Sequence, residues 1–203
     1  MRLSHSKWFA LAFTLAIRGL CQETPADMPQ VTINLYNDAR VPEPVLTEAR
    51  LEAANIFRRA EVQIMWIDCS SSHTLGTSDP ACDNPRGPSH LALRIVPWSF
   101  KSSDSVFGVA FLSPEGEGTY GNVFYDSVEK LHAEWRTGIA SVLGHVMAHE
   151  IGHLLLGTNA HSRTGIMCSN WHGKELKSIS MGTMIFTPPQ VESFKARLST
   201  FSR

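Results

Sequence analysis

Residues 139–156 read IASVLGHVMAHEIGHLLL, with Gly138 before them and Gly157 after. The stretch has no proline, is apolar through most of its length and is long enough for five turns of helix. Gly157 is its natural stop, because glycine accepts the left-handed conformation that ends many helices. Apolar flanks, Val146-Met147-Ala148 before and Leu154-Leu155-Leu156 after, put much of this helix inside the protein. His149, Glu150 and His153 therefore sit where an unpartnered polar group is costly. Residues four apart share a helical face, so the imidazoles of His149 and His153 can converge on one ion. Glu150, beside the first of them, is placed to take a proton from water at that ion. The pattern is HExxH, and its donor set suits zinc.

A catalytic zinc needs a third protein ligand and one open position. After Gly157 the chain can turn back, and His161 follows Thr158, Asn159 and Ala160. Six residues later Met167 closes a Gly-Ile-Met turn. His161 is the preferred third ligand; His172, or a carboxylate at Glu175 or Glu192, is the alternative. His145 extends the histidine stripe by one turn, but it lies about 12 Å along the helix from His153 at ~1.5 Å per residue. It is read as a packing histidine.

The segment from His149 to Met167 resembles the metzincins, zinc peptidases with HExxHxxGxxH and a methionine turn beneath the metal. The His161-Ser162 pair is similar to that of matrix metalloproteinases. The resemblance implies that His149, His153 and His161 bind Zn2+, that Glu150 is the general base and that Met167 is the turn methionine. It also implies that Phe107–Leu112 is a sheet edge along which a peptide lies by strand addition. One departure is plain: the family has five residues between the second and third histidines, whereas this chain has seven, Leu154 to Ala160.

Outward from the motif, Val31, Ile33 and Leu35 alternate with polar residues, the mark of a half-buried strand. Pro42 and Pro44 break the chain, and Thr47 to Ala60 reads as a helix capped by Thr47. Val62–Ile67, Leu91–Val96, Phe107–Leu112 and Asn122–Tyr125 read as further strands. The glycine-rich turn PEGEGTYG joins the last two and is given no catalytic role. Helix is expected from about Val128 to Leu156, with a break near Gly138, then coil, then a last helix from Pro188 to Leu198 capped by Thr187. The expected fold is α+β and zincin-like: a twisted, mixed five-stranded sheet, a long active-site helix and a small C-terminal helical subdomain.

The chain of 203 residues starts with Arg2 and Lys7 around an apolar run, Trp8 to Ile17, too short to span a bilayer. This predicts a signal peptide over 1–21 and a catalytic domain over 22–203, secreted or periplasmic, with lipidation of Cys21 as the rival outcome. Nothing after the leader reads as a membrane span. Export favours a disulfide between Cys69 and Cys82 across a Ser/Thr/Gly-rich loop, leaving Cys168 alone. A charged fraction of 18% and a net charge of −1 leave no basic stripe for nucleic acid. Trp171 is a candidate specificity residue near the cleft.

Three functions share these residues. The first is endopeptidase action on a peptide or protein substrate. The second is a secreted zinc-containing binding or structural domain, against which the intact Glu150 speaks. The third is a zinc amidase acting on a non-peptide bond.

Overall fold

A computed structural model describes residues 28–70, 80–82, 85, 87–98 and 106–200. The leader, with Cys21, lies outside the described residues. Strand β1, Gln30–Asn37, buries Val31, Ile33 and Leu35 on one face, as its alternation predicts. It pairs in parallel with β2, Gln63–Asp68, and with β3, His90–Val96. Strand β3 pairs in parallel with β5, Tyr120–Phe124, and β5 pairs antiparallel with β4, Gly108–Phe111. The order is β2-β1-β3-β5-β4, so the sheet is mixed, five-stranded and edged by its one antiparallel strand.

Five helices complete the described fold: α1 Glu43–Arg59, α2 Tyr125–Trp135, α3 Ile139–Leu156, α4 Gly173–Ser180 and α5 Pro188–Ser199. Helices α1 and α3 pack together and against the sheet. One apolar cluster takes in the buried residues of β1, β3, α1 and α3, together with Phe194 and Leu198 of α5. Fifteen of the 18 residues of α3 are buried. By length and composition α3 could cross a membrane, against the expectation that no later stretch would; it is instead the core helix of this fold.

Three further expectations are corrected. Helix α1 starts at Glu43 rather than Thr47, because Pro44 lies in the first turn, where a missing N–H costs no intrahelical bond. The Thr47 hydroxyl bonds the Glu43 carboxylate at 2.9 Å instead of capping. The break expected near Gly138 is present, marked by Arg136 in the left-handed region (φ 54°), but the first of the two helices starts at Tyr125 rather than Val128. Residues 173–180 are helical, not coil. Only Leu176 and Ile179 are buried there, too few to show a period. Cys69 and Cys82 form a disulfide, tying the residue after β2 to a short 3-10 turn at Pro80–Cys82.

Candidate metal centre

Helix α3 is apolar apart from Ser141, His145, His149, Glu150 and His153, and the last four are buried. The two imidazoles His149 and His153 point Nε2 to Nε2 across 3.0 Å. Each Nδ1 meets a backbone carbonyl, His149 at Ile166 O (2.7 Å) and His153 at Thr158 O (2.8 Å). A carbonyl only accepts, so each Nδ1 carries the proton and each Nε2 presents a lone pair. Two lone pairs facing each other in a buried place call for a cation between them. His161 stands beside both rings, stacked on His149 at 5.3 Å and edge-on to His153 at 4.9 Å between centroids. One nitrogen from each of the three lies within 4.8 Å of the other two. An ion about 2.0–2.1 Å from each nitrogen is thus within reach of this set.

The seven-residue spacing is absorbed by local backbone geometry. Helix α3 runs through Leu156, and Gly157 takes the left-handed conformation (φ 67°) with its N–H on His153 O at 2.9 Å. The Thr158 carbonyl then turns back onto the His153 ring, and the chain reaches His161 three residues later. Past His161, the Ser162 N–H bonds Met167 O at 2.8 Å, and Gly165 makes a left-handed turn (φ 77°). Met167 is fully buried under α3: a Cβ added at Gly152 would lie 2.6 Å from its sulfur.

Burial sets the charge states. It pushes His149 down to about 3, helped by His153 and opposed by the Ile166 carbonyl. It also lowers His153 and, to a lesser depth of burial, His161. All three are therefore neutral near pH 7, the form that binds a metal. Glu150 is pushed up to about 8 by burial alone. Its Oε2 is buried with no hydrogen-bond partner among the described residues, and its Oε1 would lie 2.5 Å from a Cβ at Gly108.

These groups open on a cleft of about 400 Å3. Residues 106–110, which include the start of β4, form one wall and residues 168–171 the other, with α3 as the floor. Trp171 belongs to the second wall. It is buried, donates Nε1–H to Cys168 O at 3.2 Å and stacks on Phe107 at 5.6 Å. Cys168 is a buried free thiol in the same wall.

The other candidates lie apart from the trio. His145 bonds Ser141 O at 2.8 Å, with Glu52 at 3.7 Å. The Glu175 carboxylate accepts from the His172 N–H at the start of α4, at 3.3 Å. Glu192 pairs with Lys195 at 3.4 Å. Sequence reasoning missed the Ile166 and Thr158 carbonyls, since main-chain acceptors leave no mark in residue type. It also missed Gly108, whose lack of a side chain makes room for Glu150.

Among solved structures the fold is similar to an archaemetzincin from Methanopyrus kandleri, at a TM-score of 0.52 and 14% identity over 87% of this chain and 99% of that one. It is similar as well to a zinc-dependent peptidase from Methanocorpusculum labreanum, at 0.52 and 18% identity over 80% of this chain and 99% of that one. No family model and no curated protein sequence matches the chain. At such identities the likeness is one of fold.

Proposed function

We propose that the chain is a metzincin-type zinc endopeptidase, made with a leader over 1–21 and working outside the cytoplasm as residues 22–203. The reading rests chiefly on one observation: three neutral imidazoles converge beside a buried, unpartnered carboxyl at the floor of a cleft edged by a strand. The likeness in fold to two zinc-peptidase structures and the Cys69–Cys82 bond support it.

His149, His153 and His161 would hold Zn2+ through the nitrogens that face each other. Zinc bound there supplies Lewis acidity, which polarises a carbonyl and acidifies water. The Ile166 and Thr158 carbonyls fix the imidazole tautomers, so the ligand lone pairs need no rearrangement. Glu150 takes the proton of the attacking water at its free Oε2 and gives it to the leaving amine. Burial raises its affinity for that proton to about 8, which suits a group that must gain and lose it near neutral pH. The outer edge of β4 offers backbone N–H and C=O groups to an extended peptide, whose carbonyl then comes to rest over Glu150. Met167 serves as the turn methionine, filling the space under the ligand helix.

The test is digestion of a mixed peptide library by zinc-loaded protein, followed by mass spectrometry. Glu150→Gln keeps the shape and should keep the metal, while turnover falls by about 10²–10⁴-fold. Equal turnover in the variant would refute the hydrolase. Zinc binding with cleavage of amide substrates other than peptides would favour the amidase reading.

A further inference from the structure

The turn between β4 and β5 does not sit free on the surface. It is stiffened from within: Ser113 N–H bonds Glu117 O at 2.8 Å and Gly116 N–H bonds Ser113 O at 2.9 Å. The Ser113 hydroxyl accepts from the N–H groups of Glu115 and Glu117. This turn meets the end of α3 backbone to backbone. A Cβ on Gly116 would lie 2.3 Å from Gly157 O, and one on Gly157 would lie 2.8 Å from Gly116 O. Arg197 of α5 closes over the same point. Its Nη2 donates to Gly116 O at 2.8 Å across 81 residues of sequence. Its Nη1 lies 2.1 Å from where a Gly157 side chain would begin.

The three segments meet where position matters. Gly157 is the cap of α3, and the next carbonyl, Thr158 O, holds the Nδ1 proton of His153. The far end of the joined turn is β4, the cleft edge. A guanidinium suits the spot, since the C-terminal end of a helix carries partial negative charge and one nitrogen bonds Gly116 O while another packs against Gly157.

We infer that Arg197 is a positioning residue, pinning the β4–β5 turn to the capping turn of α3 and so fixing the distance between the cleft-edge strand and the His153–His161 segment. The inference rests on the proposed reading of those histidines as ligands and of β4 as the substrate edge. Arg197 touches neither metal nor substrate and acts through Gly116 and Gly157.

The experiment uses the full chain with Arg197→Ala, Arg197→Lys and, as a control on α5 packing, Leu198→Ala, whose side chain is buried one residue away. Zinc affinity is read by competition with a chromophoric chelator, and hydrogen exchange is followed at residues 108–117 and 157–161. Arg197→Ala should weaken zinc about tenfold, the lower end for an outer partner of a metal ligand. It should speed exchange in both segments together and raise KM for a long peptide more than it lowers kcat. Arg197→Lys should recover part of each. Leu198→Ala should lower Tm without this pattern. The inference is overturned if Arg197→Ala holds zinc within about twofold of the parent, against the tenfold expected, and exchanges no faster than Leu198→Ala. Should Arg197→Ala fail to fold, Arg197→Met, which keeps an aliphatic stem and removes the guanidinium, must give the same pattern. If the parent cleaves no peptide while zinc and exchange still single out Arg197, the pin stands and the peptidase reading falls.

Discussion

Helix α3 supplies His149 and His153 from one face, a single turn apart, whereas His161 arrives on an irregular segment that starts at Gly157. The first two are buried in a helix that is itself the core of the fold. The third is exposed on one side and owes its place to a glycine bend, to the Thr158 carbonyl turned toward His153 and to the turn ending at Met167. The backbone period alone places the helical pair, while the third histidine depends on tertiary contacts made after the helix ends. Loss of either helical histidine should therefore hurt most. His149→Ala or His153→Ala should lower zinc affinity by at least about 10³-fold, beyond the 10–100-fold typical of outer partners. His161→Ala should leave a weaker two-histidine site that still binds. Equal losses at all three positions, measured by metal titration, would erase the distinction.

The same division explains what was legible in the residues. His149, Glu150 and His153 could be placed together from spacing, because helical geometry turns a four-residue interval into a shared face. The alternation in β1 and the glycine stop at 157 were readable for similar local reasons. Helix α4 was not, since it buries only Leu176 and Ile179. Neither was the meeting of Gly116 with Gly157 and Arg197, which joins segments far apart in sequence. The extra residues between His153 and His161 could be counted, but their path rests on one left-handed glycine and one carbonyl orientation.

A second way to sharpen the contrast is the pH dependence of the metal-free protein. Burial on the helix side shifts two neighbours in opposite senses. Glu150 rises from an ordinary 4.5 to about 8, so between those values the folded state holds a proton that the unfolded state has lost. Stability therefore falls as pH rises through that window. His149 drops from 6.5 to about 3, so between those values the unfolded state binds the extra proton and stability falls as pH falls. The two effects oppose each other where the windows overlap, from 4.5 to 6.5. Above 6.5 the Glu150 window sets the slope, and on the acid side His149 is joined by His145, His153 and His161, which burial also lowers. Denaturant titrations in chelator should show this dome. Glu150→Gln should flatten the alkaline limb. His149→Asn should flatten the acid limb more than His161→Asn does, because His161 is less deeply buried. An alkaline limb that persists in Glu150→Gln would mean another group carries it.

The smallest effect is expected at the residue that joins the two sides. Met167 is fully buried at the end of the returning segment, and its sulfur occupies the space above Gly152, between the two helical histidines in sequence. If its task is to fill that space, a side chain of similar volume should serve. Met167→Leu should then cost less than about 1.5 kcal/mol, as volume-conserving core exchanges do. Met167→Ala opens a cavity and should cost about 2–5 kcal/mol. Leu154→Ala, another fully buried position on α3, provides a control with a comparable cavity on the helix side alone. The two alanine variants should lose similar stability, yet only Met167→Ala should also weaken zinc, because only there does the cavity loosen the helical pair and the returning turn together. Paired denaturation and metal-competition curves decide it. Should Met167→Leu weaken zinc as much as Met167→Ala, the sulfur rather than the volume is what the site requires. Should Leu154→Ala weaken it equally, the centre is sensitive to core packing in general, and the returning segment has no special part in holding the metal.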